Sequence, residues 1–422
     1  MASSLSQTPP HDCVIIGGGP AGATAATLLA DFGHRVLVLE KARFPRHHIG
    51  ESLMPQTYFT FKRLGVLDRL RASAYPRKES VQFVSASGKQ SQPFYFTDRD
   101  PGEWSTTWQV RRDDFDKMML DNARAHGAEV REGVAVKQVL FEGDRAVGVR
   151  VVEGDSAEDI AAKVVVDASG QSAILGKQLD LRYPDARLSG ASIYAYFTGT
   201  RRDEGRNAGA TIIIHTADRK GWFWYIPLPD DVASVGLVAP SASLFSGRGA
   251  DPLATLREEL AACPGMAGRM AGAKCVSKAY VTSDFSYRSR KMAGDGWVLI
   301  GDAFGFLDPI YSSGVMLALK SGECAADAIH AGLESGDLSG KQLGTFGPGL
   351  VAGMDLIRQL VYAFYTKEFS FAEFNRRHPE YHDHLVRILI GDVFNDEVGE
   401  MFEAMGEVVD LPEPIELEGP SR

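Results

Sequence analysis

The chain has 422 residues, 44% of them apolar and 24% charged, the balance of an ordinary globular protein built on one or two cores. Its 45 basic and 55 acidic residues leave a formal charge of −10, which excludes a general attraction for nucleic acid or anionic membrane. Four cysteines without C-x-x-C spacing exclude a disulfide framework and a paired-thiol zinc or redox site.

In chain order, residues 12–16 (DCVII) read as a buried strand. They run into Gly17-Gly18-Gly19-Pro20-Ala21-Gly22 and then into a helix whose small and apolar residues continue through Leu29. Gly33 closes that helix, and residues 35–39 (RVLVL) form a second strand ending at Glu40, which completes a βαβ unit. Residues 128–133 and 138–152 read as strands with hairpin punctuation. Residues 163–170 read as a buried strand ending in a turn, and residues 188–240 as a β-rich sheet. Residues 297–300 (WVLI) form a late strand followed by Gly301-Asp302, with a helix over 314–329 and mainly helical structure from 336 onward. Neither a signal pattern at the start nor a run of about 18 apolar residues is present, so a cytoplasmic protein without membrane association is expected.

Gly17, Gly19 and Gly22 stand as G-x-G-x-x-G. The first permits the tight strand-to-helix turn, the second close approach of a pyrophosphate, and the third close packing of helix on strand. The helix N-terminus offers free N–H groups to phosphates. Glu40, 21 residues beyond Gly19, is placed to accept hydrogen bonds from ribose hydroxyls, which favours FAD or NAD over NADP. The His47-His48 pair has no partner cluster among the ten histidines, so no metal is expected.

Further motifs choose FAD. Gly301-Asp302-Ala303, Val166-Asp167-Ala168-Ser169-Gly170 and Trp108–Asp116, with Arg112 the better-aligned arginine, resemble segments of the FAD-dependent superfamily of aromatic hydroxylases, geranylgeranyl-type reductases and flavin-dependent halogenases. The resemblance covers residue 12 to about 330. It implies an α/β fold: a Rossmann-like FAD-binding domain of the aromatic hydroxylase and glutathione reductase type, an inserted mainly antiparallel sheet domain, and a helical C-terminal region. The expected boundaries are 1–75, 105–180 and 280–335 for the FAD unit, 76–104 and 181–279 for the substrate-side sheet, and 336–422 for the helical region with an acidic tail. Gly17, Gly19, Gly22, Glu40, Arg46, Arg112, Asp302 and Gly314 are the expected FAD-binding residues.

Within that superfamily the chain resembles the halogenases. Trp222, Trp224, Ile226 and Pro227 form W-x-W-x-I-P, and strand alternation puts both indoles on one face. The resemblance implies that they part the flavin from the organic substrate. Arg77-Lys78-Glu79-Ser80-Val81-Gln82-Phe83 resembles the segment that carries the essential lysine, which makes Lys78 the expected catalytic residue, just before a strand over 80–84. Arg77 is the alternative in register, but a guanidinium does not readily release a proton. Glu79 is adjacent in sequence but faces the other way on a strand, so it receives no role. Asp308–Val315 resembles the loop whose backbone N–H groups bind halide, with Ser313 and Gly314 as candidates. Tyr311 stands where tryptophan halogenases carry a glutamate, so the chain looks closer to the phenol- and pyrrole-type members of secondary-metabolite pathways. Several of those act on substrates tethered to carrier proteins.

The reaction so implied makes hypohalous acid from O2 and chloride or bromide on reduced FAD, which Lys78 then directs to an electron-rich ring. No NADPH motif is evident, so a separate flavin reductase is the expected partner. An aromatic hydroxylase and a geranylgeranyl-type reductase compete: W-x-W-x-I-P argues against the first, and the absence of a clear membrane-facing patch against the second. A flavin-binding protein without turnover is disfavoured by the reactive-type residues beside the cofactor motifs. The aromatic run Tyr362, Phe364, Tyr365, Phe369, Phe371 and Phe374 fits either a ring-binding pocket or helix packing. Residues 391–422 hold ten acids and one base, so the body before them is near neutral and the tail is expected to fray. An acidic carrier could meet Arg376-Arg377 or the stretch 288–291, unless the tail lies nearby.

Overall fold

The computed structural model describes residues 9–419 apart from 155, 284 and 395. The strand His11–Ile16 lies at the centre of a parallel sheet, between Val36–Glu40 and Ser156–Asp167. Trp297–Leu299 extends the sheet beyond Ser156–Asp167, and Glu129–Glu132 extends it beyond Val36–Glu40. Central strands buried on both faces need continuous apolar runs, and Cys13, Val14 and Ile15 are fully buried. The region read as strands over 138–152 forms two arms, Ala135–Glu142 and Arg145–Glu153, which pair antiparallel and continue into Ser156–Asp167.

A second sheet carries Ala191–Thr198, Ala233–Ala239, Trp222–Pro227 and Thr211–His215 as antiparallel neighbours. Ser80–Val84, far away in sequence, joins in parallel to Thr211–His215, and Phe94–Tyr95 pairs antiparallel beyond it. The two faces differ in duty. Trp222, Trp224, Ile226 and Tyr194 face the core shared with the parallel sheet, whereas Phe223 and Tyr225 pack beneath the helix Pro252–Ala262 with Leu256 and Leu260. The alternation expected for the W-x-W-x-I-P strand is therefore present. Each buried indole removes roughly 200 Å² from water, an upper bound on the order of 5 kcal/mol apiece.

The helical C-terminal region opens with the short helix Gly340–Leu343 and continues with Gly347–Tyr365. The tail that follows is not frayed over its described part, which corrects the expectation. Ile415 N–H donates to Asp355 Oδ2 at 2.6 Å, and Glu418 N–H donates to the Arg290 carbonyl at 2.9 Å. Arg187 holds Asp410 at 3.1 Å, and the Arg358 guanidinium donates to the Glu413 carbonyl. The acids thus lie along cations of the body, including Arg290 in the 288–291 stretch. Arg376 and Arg377 are both engaged by Glu373. No helix among the described residues is long and apolar enough to cross a membrane.

Candidate active site

The first helix, Pro20–Asp31, starts at Gly19 with proline in its first turn and no acid there, so its positive end stays open to an anion. Gly17 has φ +104°, and a Cβ on it would stand 2.5 Å from the Ala168 carbonyl oxygen. A Cβ on Gly22 would meet the Gly17 carbonyl oxygen at 2.0 Å, so Gly22 serves helix-on-strand contact. Glu40 is buried, and its two oxygens accept from Gly18 N–H and Ala42 N–H, both at 2.8 Å. Those bonds fix the carboxylate at the strand end with further lone pairs to spare.

Gly17, Gly19, Glu40, Arg46, Arg112, Asp302 and Gly314 all line one cavity of about 560 Å³, as do Trp222, Trp224 and Ile226. That size and its mix of apolar wall and few polar groups suit a cofactor. Gly22 and Pro227 lie outside the lining, in the packing behind it. Arg112 is buried, with Nε and Nη2 on the two oxygens of Asp116 at 2.7 and 3.0 Å and Nη1 on the Ile49 carbonyl at 2.6 Å. Arg46 reaches the same carboxylate at 2.9 Å. Two guanidiniums sharing one carboxylate leave net positive charge for a phosphate. Arg111 instead pairs with Asp113 at the exposed side. Burial pushes the Asp302 carboxyl up to about 6, against the pull of Arg112. The glycine cradle, the open helix end, the oriented Glu40 and the arginine pair fit a dinucleotide with unphosphorylated ribose.

The two indoles stand 6.1 Å apart between ring centroids. Trp224 Nε1 donates to Ser234 Oγ at 3.1 Å, and Trp222 Nε1 donates to Tyr365 Oη at 2.9 Å. Gly236 makes room for Trp224, since a Cβ there would lie 2.2 Å from the indole. On the loop after Asp308, Ser312 adopts φ +59° and Ser313 precedes the long helix Gly314–Ser335 without a side-chain cap bond. Ser312 and Gly314 line the cavity, while Ser313 is buried between them. Tyr311 is buried and donates to the Leu360 carbonyl at 3.1 Å.

Lys78 does not stand free before the 80–84 strand. Arg77–Lys78 pairs antiparallel with Thr107–Trp108 as a short strand of its own. Lys78 is 3% exposed. Its Nζ donates to Ser52 Oγ at 2.9 Å and to the Leu53 carbonyl at 2.8 Å. Burial pushes the amine down to about 7. Two acceptors match the two N–H bonds of a neutral amine and leave its lone pair free. Arg77 instead stacks over Trp108 at 4.2 Å, away from the Ser52 hydroxyl. Glu79 turns away to Arg206 at 3.3 Å. The cavity stops short of Lys78, and Ser52 and Thr211, 2.8 Å apart, line the cavity's edge between them. Gln109 Nε2 completes this group, donating to Thr211 Oγ1 at 2.9 Å.

Sequence reasoning missed Ser52, Thr211, Gln109 and the role of Tyr365. Ser52 stands 26 residues before Lys78, and no spacing in the sequence ties the two together. The two histidines line the cavity with partners of their own: His48 Nδ1 lies 2.7 Å from the Ile49 carbonyl, and His47 Nε2 lies 3.0 Å from Tyr194 Oη. Among the described residues no group of three or more His, Cys, Asp or Glu is arranged to hold a metal.

Comparison with known proteins agrees with this geometry. Residues 11–321 match the family model described as "FAD binding domain". The chain is 31% identical over 93% of its length, and 95% of the relative's, to the 1H-pyrrole-2-carbonyl-[peptidyl-carrier protein] brominase of Pseudoalteromonas luteoviolacea. It is 30% identical to the corresponding chlorinase of Pseudomonas fluorescens, over 94% of this chain and 93% of that one. The solved flavin-dependent brominase Bmp2 superposes with a TM-score of 0.85 at 30% identity, covering 94% of this chain and 99% of that one. With an FAD-binding fold, the paired-indole wall and relatives matched over nearly their whole length, the chain belongs to the flavin-dependent halogenases and is an FAD-dependent enzyme.

Proposed function

We propose that this halogenase acts on an electron-rich phenol or pyrrole, presented on an acidic carrier protein, and that Lys78 delivers the halogen. The single observation that carries the delivery role is the buried Lys78 amine, held by two acceptors one hydroxyl away from the FAD cavity. The carrier is proposed from the two pyrrolyl-carrier-protein relatives. In this reading Gly17, Gly19 and the helix start hold the pyrophosphate, Glu40 the ribose, and Arg46 and Arg112 add positive charge. Asp302 would meet the ribityl chain, and Gly314 would lie beside the flavin. Reduced FAD, supplied by a separate flavin reductase, provides the oxygen activation that turns halide into hypohalous acid.

The chain's own groups do the rest. Backbone N–H groups at Ser313 and Gly314 hold chloride or bromide at the start of a helix, where its dipole favours an anion. Trp222 and Trp224 keep the organic ring off the flavin, so the oxidant reaches it only as hypohalous acid. Ser52 and Thr211 offer that acid hydroxyl partners on its way to Lys78. There the neutral amine takes the halogen: an N–X bond forms, the O–X bond breaks, and the departing hydroxide takes a proton from the amine as water. Alternatively, the ammonium hydrogen-bonds the intact acid. Either form aims the electrophile at one ring carbon by proximity.

The test is mass spectrometry. Purified protein with FAD, a reductase, NADH and bromide is offered free phenols and pyrroles and the same rings on a carrier protein. A gain of bromine on the carrier-bound ring is expected. A gain of oxygen overturns the delivery role, and bromination of free rings alone overturns the carrier.

A further inference from the structure

The helix Gly347–Tyr365 ends on two aromatic residues that the halogenation steps above leave unused. Phe364 meets Trp222 and Tyr311 edge-on, each with centroids 6.4 Å apart. Tyr365 as a residue is 39% exposed, yet its hydroxyl turns inward. It accepts from Trp222 Nε1 at 2.9 Å and donates to Asp308 Oδ2 at 3.1 Å. The other oxygen of Asp308 accepts the Ile310 N–H at 2.9 Å, which opens the turn Pro309–Tyr311. That turn leads directly into Ser312, Ser313 and Gly314. A hydroxyl is suited to this place because the indole needs an acceptor and the carboxylate needs a donor. Asp308 is 3% exposed, so a lost partner there is not replaced by water.

We propose that Tyr365 is a positioning residue: its hydroxyl ties the 308–314 loop to the Trp222 wall, so that the C-terminal helix sets the loop's affinity for halide. This rests on the assignment of Ser313 and Gly314 to halide. Tyr365 touches neither halide nor substrate in this role. It acts through Asp308, and the loop that Asp308 anchors is the one whose N–H groups must converge on the anion. Loosening that anchor weakens halide binding before the later delivery step.

Steady-state bromination at varied bromide tests it in Tyr365→Phe, Asp308→Asn and the double variant. Tyr365→Phe is expected to raise the bromide KM about fivefold to tenfold, the effect of losing the hydrogen bond to Asp308 that anchors the loop. kcat at saturating bromide and the FAD Kd are expected to stay within about twofold, a split that general loosening would not give. The double variant is expected to be no worse than the poorer single, because both cut one link. Tyr365→His keeps a donor and an acceptor and is expected to hold the bromide KM nearer to wild type than Phe does. A bromide KM unchanged in Tyr365→Phe, singles whose effects multiply, or a His variant as poor as Phe each overturns the proposal. Wild-type turnover that ignores bromide overturns instead the halide assignment beneath it.

Discussion

At the scale of single residues, the chemistry of Lys78 follows from where its nitrogen sits. A surface lysine is an ammonium at neutral pH, and this one is pushed down to about 7 by burial alone. The sign of the consequence for stability is fixed. The unfolded chain keeps that proton up to the ordinary lysine value, while the folded chain releases it near 7. Stability therefore rises with pH between about 7 and 10.5, and the cost of the buried ammonium is fully present below that window. Urea unfolding at pH 7.5 and pH 9 should show wild type gaining on Lys78→Met by about 1.4 kcal/mol per pH unit. A difference that stays flat with pH would mean that the lysine keeps its charge in the fold. Lys78 itself was legible because it stands in a recognisable local segment. Its partner Ser52 was not, because the contact spans 26 positions and is made only when two strands meet Thr107–Trp108 and Gln109.

At the scale of elements, what the sequence made plain is what repeats at short range. The G-x-G-x-x-G turn marks Gly17 and Gly22, which lack room for a Cβ, and strand alternation places both indoles on one face. Neither shows what stands opposite. Gly236, on the neighbouring strand Ala233–Ala239, is paired with Trp224 and leaves the space its indole fills. Gly236→Ala is therefore expected to drive the Trp224 ring into the FAD cavity, weakening FAD binding at least tenfold. Overpacking of this kind also costs about 1–3 kcal/mol of stability. Titration of FAD fluorescence checks it, and unchanged affinity would mean that the strand yields instead of the ring. The aromatic run near the C-terminus, open to two readings in sequence, makes packing contacts in two groups. Phe364 and Tyr365 pack against Trp222, while Phe369, Phe371 and Phe374 pack against one another, and none of the five lines the FAD cavity.

At the scale of the whole molecule, the charge is segregated, and the acidic end is held by the body. Alternation and motif spacing carry no information about that contact, since a polar tail after Pro412 reads as loose by composition. Removing residues 411–422 strips the Ile415 N–H from the Asp355 carboxylate, which burial already pushes up, and uncovers the surface under Ile415. A loss of about 2–3 kcal/mol is expected, from one buried hydrogen bond and one buried apolar side chain. Thermal unfolding of the truncated chain measures it, and an unchanged Tm would mean that the tail rests on the body without stabilising it. The joining of Ser80–Val84 to the strand Thr211–His215, far away in sequence, is likewise a whole-molecule fact, and it is what brings Lys78 beside the FAD cavity.

The central claim is that halogen passes through Lys78 after the flavin has done its part. Lys78→Ala, assayed beside wild type with FAD, a reductase, NADH and bromide, tests it most directly. The variant is expected to bind FAD normally and consume O2 at a rate within about threefold of wild type, while bromination of the ring falls at least a hundredfold. Bromination at the wild-type rate by Lys78→Ala would contradict the account.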